Sequence, residues 1–203
     1  MKKISLCIPT YNRSMYLNNL LSSIVSNKNY LRDVEICISD NNSSDETSNV
    51  IKSYKNIISI KYKKNKNNIG LAANIISVSQ MATGEFLWLI GDDDILFKDS
   101  IKRLQKLIIS NPSVDFFYVN AFTMSKNKII KNKSNYSYNY ISKNCNRFSK
   151  YTKDGQLDFI DLINPEDANK KMKGIIGSEN LASQSTTVNK TVIVLSIMNV
   201  TIK

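Results

Sequence analysis

Gly84-Glu85-Phe86-Leu87-Trp88-Leu89-Ile90-Gly91-Asp92-Asp93-Asp94-Ile95-Leu96 is the stretch that decides the fold. Its apolar run, Phe86 to Ile90, is too short for a typical helix and fits a strand buried on both faces, as strands of parallel sheets are. The run ends in three consecutive carboxylates. They repel one another, and no Lys or Arg lies within three residues on either side. A divalent cation would relieve that repulsion. Mg²⁺ and Mn²⁺ prefer oxygen ligands, and Mg²⁺ usually takes one or two carboxylates and fills its other positions with water and phosphate oxygens. In an extended segment side chains two apart share a face, so Asp92 and Asp94 would converge on one ion while Asp93 points elsewhere. The plainer alternative is an acidic turn capping a helix that starts near Lys98, since Asp is common in turns and at helix starts.

Upstream of this stretch, strand and helix patterns alternate. Ile4 to Ile8 reads as a buried strand that Pro9 ends, because proline cannot donate to a ladder. After the loop Thr10-Tyr11-Asn12-Arg13, apolar residues from Met15 to Val25 recur at helical spacing. Val34 to Ser39 is a second strand running into Asp40-Asn41-Asn42. Ser43 and Glu46 have capping-box spacing, which predicts a helix starting there with Val50, Ile51 and Tyr54 inward. Ile57 to Tyr62 is a third strand, Lys63 to Asn68 a basic loop, and Leu71 to Met81 a small-residue helix ending near Thr83-Gly84. Downstream, Ile101, Leu104, Leu107 and Ile108 mark a helix closed by Asn111-Pro112, and Asp115 to Asn120 a further strand.

Strands alternating with crossover helices predict an α/β fold: an open, mostly parallel sheet sandwiched by helices over residues 1–122. In such sheets ligands bind beyond the carboxyl ends of the strands. Three polar clusters fall there: Thr10 to Arg13, Asp40 to Asn42, and Asp92 to Asp94. Any one is compatible with turn chemistry; their joint position leads us to expect a site for a sugar nucleotide and its metal. No glycine-rich dinucleotide fingerprint follows the first strand, and no Gly-x-x-x-x-Gly-Lys-Ser/Thr phosphate loop occurs.

Composition narrows the chemistry further. The 203 residues contain no histidine, which removes Ser-His-Asp and Cys-His machinery, His-ligated zinc and imidazole as a general base. Cys7, Cys37 and Cys145 have no metal-ligand spacing and read as reduced thiols of a cytosolic protein. Met1-Lys2-Lys3 leads directly into a strand with no signal-peptide pattern, and no apolar run reaches the roughly 18 residues a membrane span needs. The net charge of +11 suits phosphate-rich partners or anionic lipid, although a Lys/Asn-rich composition bias explains it equally well. The charge is dispersed and no DNA- or RNA-binding motif occurs, so nucleic acid is set aside. Residues 123–203 lack a clear core of their own. They comprise a Lys/Asn/Ser/Tyr-rich stretch at 126–153, one or two helical turns at Leu157 to Ile163, a loop or strand end at Gly174 to Glu179, and an apolar segment from Thr187 to Val200 that suits a strand or short helix.

Ser5-Leu6-Cys7-Ile8-Pro9-Thr10-Tyr11-Asn12-Arg13, Ile38-Ser39-Asp40-Asn41-Asn42-Ser43-Ser44-Asp45, Asn68-Ile69-Gly70-Leu71-Ala72-Ala73-Asn74 and the acidic stretch together resemble the family-2 glycosyltransferases of the GT-A fold. The Trp-Leu-Ile-Gly-Asp-Asp-Asp-Ile-Leu form is most similar to the abequosyltransferase-like branch of bacterial surface-polysaccharide enzymes. The resemblance implies that Pro9, Thr10 and Tyr11 line a base pocket, that Asp40 hydrogen-bonds the base, usually uracil, and that Asn68 and Asn74 lie by the ribose and diphosphate. It implies that Asp92, Asp93 and Asp94 are the DxD-type acids, with Asp93 on the nucleotide sugar and Asp92 and Asp94 on Mn²⁺ or Mg²⁺. The implied reaction is metal-dependent, inverting transfer of a sugar from a UDP-type donor to a surface glycan or lipid-linked acceptor, in the cytoplasm with peripheral contact at the inner face of the membrane. Many family members carry an aspartate where this chain has Gly91. The acceptor-activating base falls in a poorly matching segment, where Glu166, Asp167 and Glu179 are the available acids. The family's C-terminal acceptor region is short or absent, so the alternative is a truncated, non-catalytic nucleotide-sugar-binding protein.

Overall fold

The computed structural model describes residues 4–112 and the strand segments 117–119, 122–123, 146–147 and 193–196. In chain order the elements are β1 (Ile4–Thr10), α1 (Ser14–Ser26), a 3-10 turn (Lys28–Tyr30), β2 (Val34–Asp40), α2 (Thr47–Lys55), β3 (Ile60–Lys64), α3 (Leu71–Met81), β4 (Phe86–Leu89), α4 (Ser100–Ser110), β5 (Phe117–Val119), β6 (Phe122–Thr123), β7 (Asn146–Arg147) and β8 (Ile193–Ser196). Six strands form one sheet in the order β3-β2-β1-β4-β8-β5, with every neighbouring pair parallel. β6 and β7 form a separate antiparallel pair. The expected open, parallel α/β sandwich is therefore the observed architecture. The apolar segment predicted at 187–200 supplies β8, which lies between β4 and β5.

Alternation along β1 divides the core. Leu6 and Ile8 face α1, α2 and α4, joining Leu17, Leu20, Leu21, Ile24, Ile51, Ile101, Leu104 and Ile108 in one apolar cluster with Trp88. Cys7, one residue over, faces α3 and packs with Cys37 and Val78, with Leu87 and Leu89 against them. Cys7 and Cys37 are register partners across β1 and β2, and both are fully buried. The hydrogen-bonding partnership with Cys37, and then burial, push the Cys7 thiol pKa up.

Three boundaries differ from the sequence expectation. Pro9 does not end β1, which continues to Thr10 with Pro9 opposite Ser39. Cys7 turns its carbonyl to the β4 side, where it accepts from the Ile90 N–H at 3.0 Å. Pro9, two residues on, faces that same side beyond the end of β4, so its missing N–H costs no ladder bond. The Ser43/Glu46 capping box does not form. α2 starts at Thr47, whose N–H and hydroxyl both donate to Asp45 Oδ1, at 3.0 and 2.5 Å, while Ser43 is drawn into the loop after β2. β3 starts at Ile60 rather than Ile57, and Ile58 packs into the core just before it.

At the amino-terminal end of the sheet Glu35 acts as a rivet. Its carboxylate accepts hydrogen bonds from the Ser5 hydroxyl on β1, the Thr83 and Gly84 N–H groups before β4, and the Thr83 hydroxyl. It also pairs with Lys61 on β3. Burial alone would raise the Glu35 pKa, but Lys61, Ser5 and Thr83 together bring it down to about 2.

Candidate functional site

β1 and β4 are neighbours, yet their chains leave in opposite directions: α1 leads on to β2, and α4 leads toward β5. This is the switch point at which parallel sheets open a crevice beyond the carboxyl ends of their strands. Register brings Thr10, the last residue of β1, opposite Asp40, the last of β2, and Ile90 hydrogen-bonds across from β4 to β1. The three polar clusters predicted from sequence therefore share one sheet edge.

The acids after β4 lie in a turn rather than an extended segment. The Asp94 N–H donates to the Gly91 carbonyl at 3.0 Å, and the Gly91 N–H donates to Asp94 Oδ2 at 2.9 Å. Alternation does not operate in such a turn, and the pair that converges is Asp92 and Asp93, on Arg13. One guanidinium nitrogen donates to Asp92 Oδ1 and the other to Asp93 Oδ2, each at 2.9 Å. The second oxygen of Asp92 accepts from the Thr10 hydroxyl at 2.9 Å. The cation missing from the neighbouring sequence is thus supplied from residue 13. The acids do not cap the next helix either, since α4 starts at Ser100 with Asp99 at its cap position.

The electrostatics are strained. Burial pushes the Asp92 pKa up to about 6, although Arg13, the Thr10 hydroxyl and the Tyr11 N–H draw it down; the charge of Asp93 adds to the rise. Asp92 and Asp93 raise the pKa of Arg13 despite the cost of its partial burial. Gly91 completes the arrangement sterically, because a Cβ there would sit 2.9 Å from Asp93 Oδ1 and 3.4 Å from Asp94 Oδ2. An aspartate at this position would have to displace the acids as this chain holds them.

Arg13 reaches the acids because its loop is tied down elsewhere. Asn12 adopts the left-handed conformation (φ 50°), which Asn tolerates better than most residues. Its N–H donates to Ser43 Oγ at 2.9 Å and its side-chain oxygen accepts from the Ser44 N–H at 2.8 Å. The Ser14 N–H, in the first turn of α1, is satisfied by Asp45 Oδ2 at 2.9 Å.

The second and third clusters interlock with the loop before α3. Asp40 is fully buried: Oδ1 accepts from the Ser43 N–H at 2.7 Å and Oδ2 from the Tyr62 hydroxyl at 2.9 Å. Asn74 is buried as well; it donates to the Ser39 carbonyl and accepts from Ser39 Oγ and Asn65. Asn41 holds the loop from the other side. Its nitrogen donates to Asn68 Oδ1 at 2.6 Å and more weakly to the Gly70 carbonyl, and its oxygen accepts from the Ile69 N–H at 2.9 Å and from Asn65. Gly70 takes φ +82° at the cap of α3, a value that side chains disfavour.

Of the predicted residues, Thr10, Asp92, Asp93 and Asp94 gather at one point. Asp40 and Asn74 lie beneath the edge with their polar atoms engaged by the protein. Tyr11 and Asn68 remain open, with Tyr11 42% exposed and the Asn68 amide nitrogen donating to no group among the described residues. Pro9 is half-buried on β1. Glu166, Asp167 and Glu179 lie outside the described residues. Arg13, Asn41, Asn65 and Tyr62 were missed as participants. Arg13 was the most findable, as the one cation inside any of the three polar clusters.

The donor set suits a divalent ion. It offers hard carboxylate oxygens, a guanidinium already stands where positive charge is needed, and the residue beside them is one whose side chain would fill the space. Among the described residues no three His, Cys, Asp or Glu side chains form a ready-made metal cage. A cation here would need further oxygens from its ligand, as Mg²⁺ typically does.

Comparison with known proteins bears on the same segments. Abequosyltransferase RfbV of Salmonella typhimurium is 42% identical over 113 residues, 55% of this chain and 34% of that protein. A GalNAc(5)-diNAcBac-PP-undecaprenol beta-1,3-glucosyltransferase of Campylobacter jejuni is 36% identical over 108 residues, 52% of this chain and 34% of that protein. Staphylococcus aureus TarS 1–349, solved in complex with UDP-GlcNAc, matches with a TM-score of 0.55 at 25% identity, covering 62% of this chain and 35% of that one. The mannosyltransferase PcManGT from Pyrobaculum calidifontis, solved with GDP-Man and Mn²⁺, shares the fold at a TM-score of 0.51 and 17% identity, over 64% of this chain and 38% of that one. The chain spans about a third of the length of these curated relatives. The family model described as glycosyl transferase family 2 matches residues 5–165, taking in all three polar clusters and running past β7, so the chain belongs to glycosyl transferase family 2.

Proposed function

We propose that this chain carries the donor-binding part of a glycosyltransferase that takes a UDP-type nucleotide sugar and transfers the sugar, with inversion, to a bacterial surface glycan or lipid-linked acceptor. The observation that carries the reading is the convergence of Thr10, Arg13, Asp92 and Asp93 at the β1/β4 switch point. The UDP-GlcNAc in TarS supports a donor of this class, and the match to the abequosyltransferase RfbV supports sugar transfer. Tyr11, exposed beside the β1 edge, packs on the base, and the open Asn68 amide donates to the nucleotide. Asp40, Asn41 and Asn74 hold the loops that present them, so Asp40 acts on the base through loop geometry rather than through its own sealed oxygens. Asp92 and Asp94 hold Mn²⁺ or Mg²⁺, and Asp93 contacts the sugar nucleotide. The ion, when bound, supplies Lewis-acid stabilisation of the nucleoside diphosphate leaving group. Asp167 and Glu179 are the candidates for the base that takes the acceptor hydroxyl proton. The excess of Lys and Arg (28) over Asp and Glu (17) suits work in the cytoplasm, at the anionic inner face of a membrane. Among the described residues no helix is long and apolar enough to cross one.

Calorimetric titration with UDP, with and without Mn²⁺, tests this reading. Metal-dependent binding that Asp92→Asn/Asp94→Asn removes is the expected result; no binding of UDP, GDP, CDP or TDP would overturn it. Arg13, already seated on Asp92 and Asp93, favours a second reading: a nucleotide-sugar-binding protein without turnover. Donor binding with no sugar transfer and no donor hydrolysis would select it.

A further inference from the structure

Arg13 occupies Asp92, one of the two carboxylates proposed for the metal, together with Asp93 beside it. Its two nitrogens engage two different acids at 2.9 Å rather than gripping one carboxylate with both, so the guanidinium lies between Asp92 and Asp93 where their negative potential overlaps. Asp92 is left with no uncommitted oxygen, because Thr10 holds the other. Unlike the acids, Arg13 has room to move: its side chain is 40% exposed and rests over the Tyr16 ring, 5.0 Å from the centroid.

We propose that Arg13 is a built-in counter-cation that excludes a bare divalent ion from this site and yields its carboxylates only when a diphosphate arrives with the ion. The inference rests on the donor-site reading and assigns Arg13 a positioning role within it. An aqueous Mn²⁺ or Mg²⁺ ion must displace the charge-assisted hydrogen bond on Asp92 and approach a resident positive charge, and it gains at most two carboxylates in return. An ion carrying a nucleoside diphosphate brings its own phosphate oxygens as ligands. The same phosphates offer the displaced guanidinium an anion to pair with. Nucleotide and metal therefore bind with positive coupling, each raising the affinity of the other by the same factor.

The test is Mn²⁺ binding to the nucleotide-free full chain, read from the electron paramagnetic resonance signal of unbound Mn²⁺. Wild type, Arg13→Gln, Arg13→Ala and Arg13→Lys are compared, with circular dichroism melts as the folding control. The two neutral variants are expected to acquire a single Mn²⁺ site about ten-fold tighter than wild type. Arg13→Lys, which keeps the charge, stays near wild type. Adding Asp94→Asn to Arg13→Gln removes the gain, and millimolar guanidinium added to Arg13→Ala competes the ion off. Folded neutral variants that bind Mn²⁺ no better than wild type would overturn the proposal, as would tight Mn²⁺ binding by wild type without nucleotide. A parallel UDP titration separates the two readings. A gained Mn²⁺ site with no UDP binding by any form leaves the counter-cation standing and sinks the donor site. Mn²⁺-dependent UDP binding with no gained site does the reverse.

Discussion

The two ends of the sheet each bury an acid, and they treat it in opposite ways. At the amino-terminal end Glu35 is surrounded by donors from three segments of the chain, and its pKa falls to about 2. At the carboxyl end Asp92 has Thr10 and a half-exposed arginine, and its pKa rises to about 6. One acid is satisfied by the fold; the other still gains from added positive charge. On the donor-site reading, that contrast separates a structural carboxylate from one kept for a ligand, although both are buried, charged and at a strand end.

Breaking the satisfied end should cost the most. Glu35→Ala takes the acceptor away from the Ser5 hydroxyl and the Thr83 N–H and leaves the Gly84 N–H only its bond to Ser5 Oγ; it is expected to destabilise the protein by about 3 kcal/mol in urea denaturation, leaving UDP affinity within two-fold or so. Because the folded pKa of Glu35 is depressed, its stabilisation is complete above the unfolded value near ~4.3 and is lost as pH falls through about 2. Wild type should lose on the order of 2–3 kcal/mol across that window relative to Glu35→Gln, and parallel slopes for the two proteins would remove Glu35 from its assigned role.

At the other end the expected effects fall on binding. Asp92→Asn/Asp94→Asn is expected to weaken Mn²⁺-dependent UDP binding by about a hundred-fold in calorimetry, with a melting temperature equal to or above wild type, since a costly buried charge has gone. Gly91→Ala comes next. Its Cβ meets the end of the Asp93 side chain, which can swing aside, so stability should fall by only ~1 kcal/mol or less while UDP affinity drops roughly ten-fold. Tyr11→Ala is the smallest: UDP affinity a few-fold weaker, stability within ~0.5 kcal/mol of wild type. A large stability loss in Tyr11→Ala would mean that the ring packs on the protein instead of awaiting a ligand.

Much of the sheet was legible because each element carries its own pattern. The alternation that buries Leu6 and Ile8 on one side, and the helical recurrence of Leu17, Leu20, Leu21 and Ile24, are local signals. The strand ends also located the site edge. What failed to show was the tertiary settlement of local alternatives. Ser43 and Glu46 have capping-box spacing, but Asp45 holds Thr47 at the start of α2 instead, because the Ser43 N–H is taken by Asp40 and its hydroxyl by Asn12. Pro9 is harmless only because β4 ends where it does. The acids looked unrelieved because Arg13 lies about eighty residues away in sequence and 2.9 Å away in space. No window of sequence contains that pair.

Cys7 and Cys37 give the molecule a built-in clock. The two thiols face each other across the central strands beneath Val78, where no reagent in solvent can reach them. Alkylation at either position thus requires β1, β2 and α3 to come apart, a motion far larger than loop breathing. Peptide mass mapping of the modified Cys7 and Cys37 would time the rarest opening of the sheet in unaltered protein, with no label introduced to disturb it.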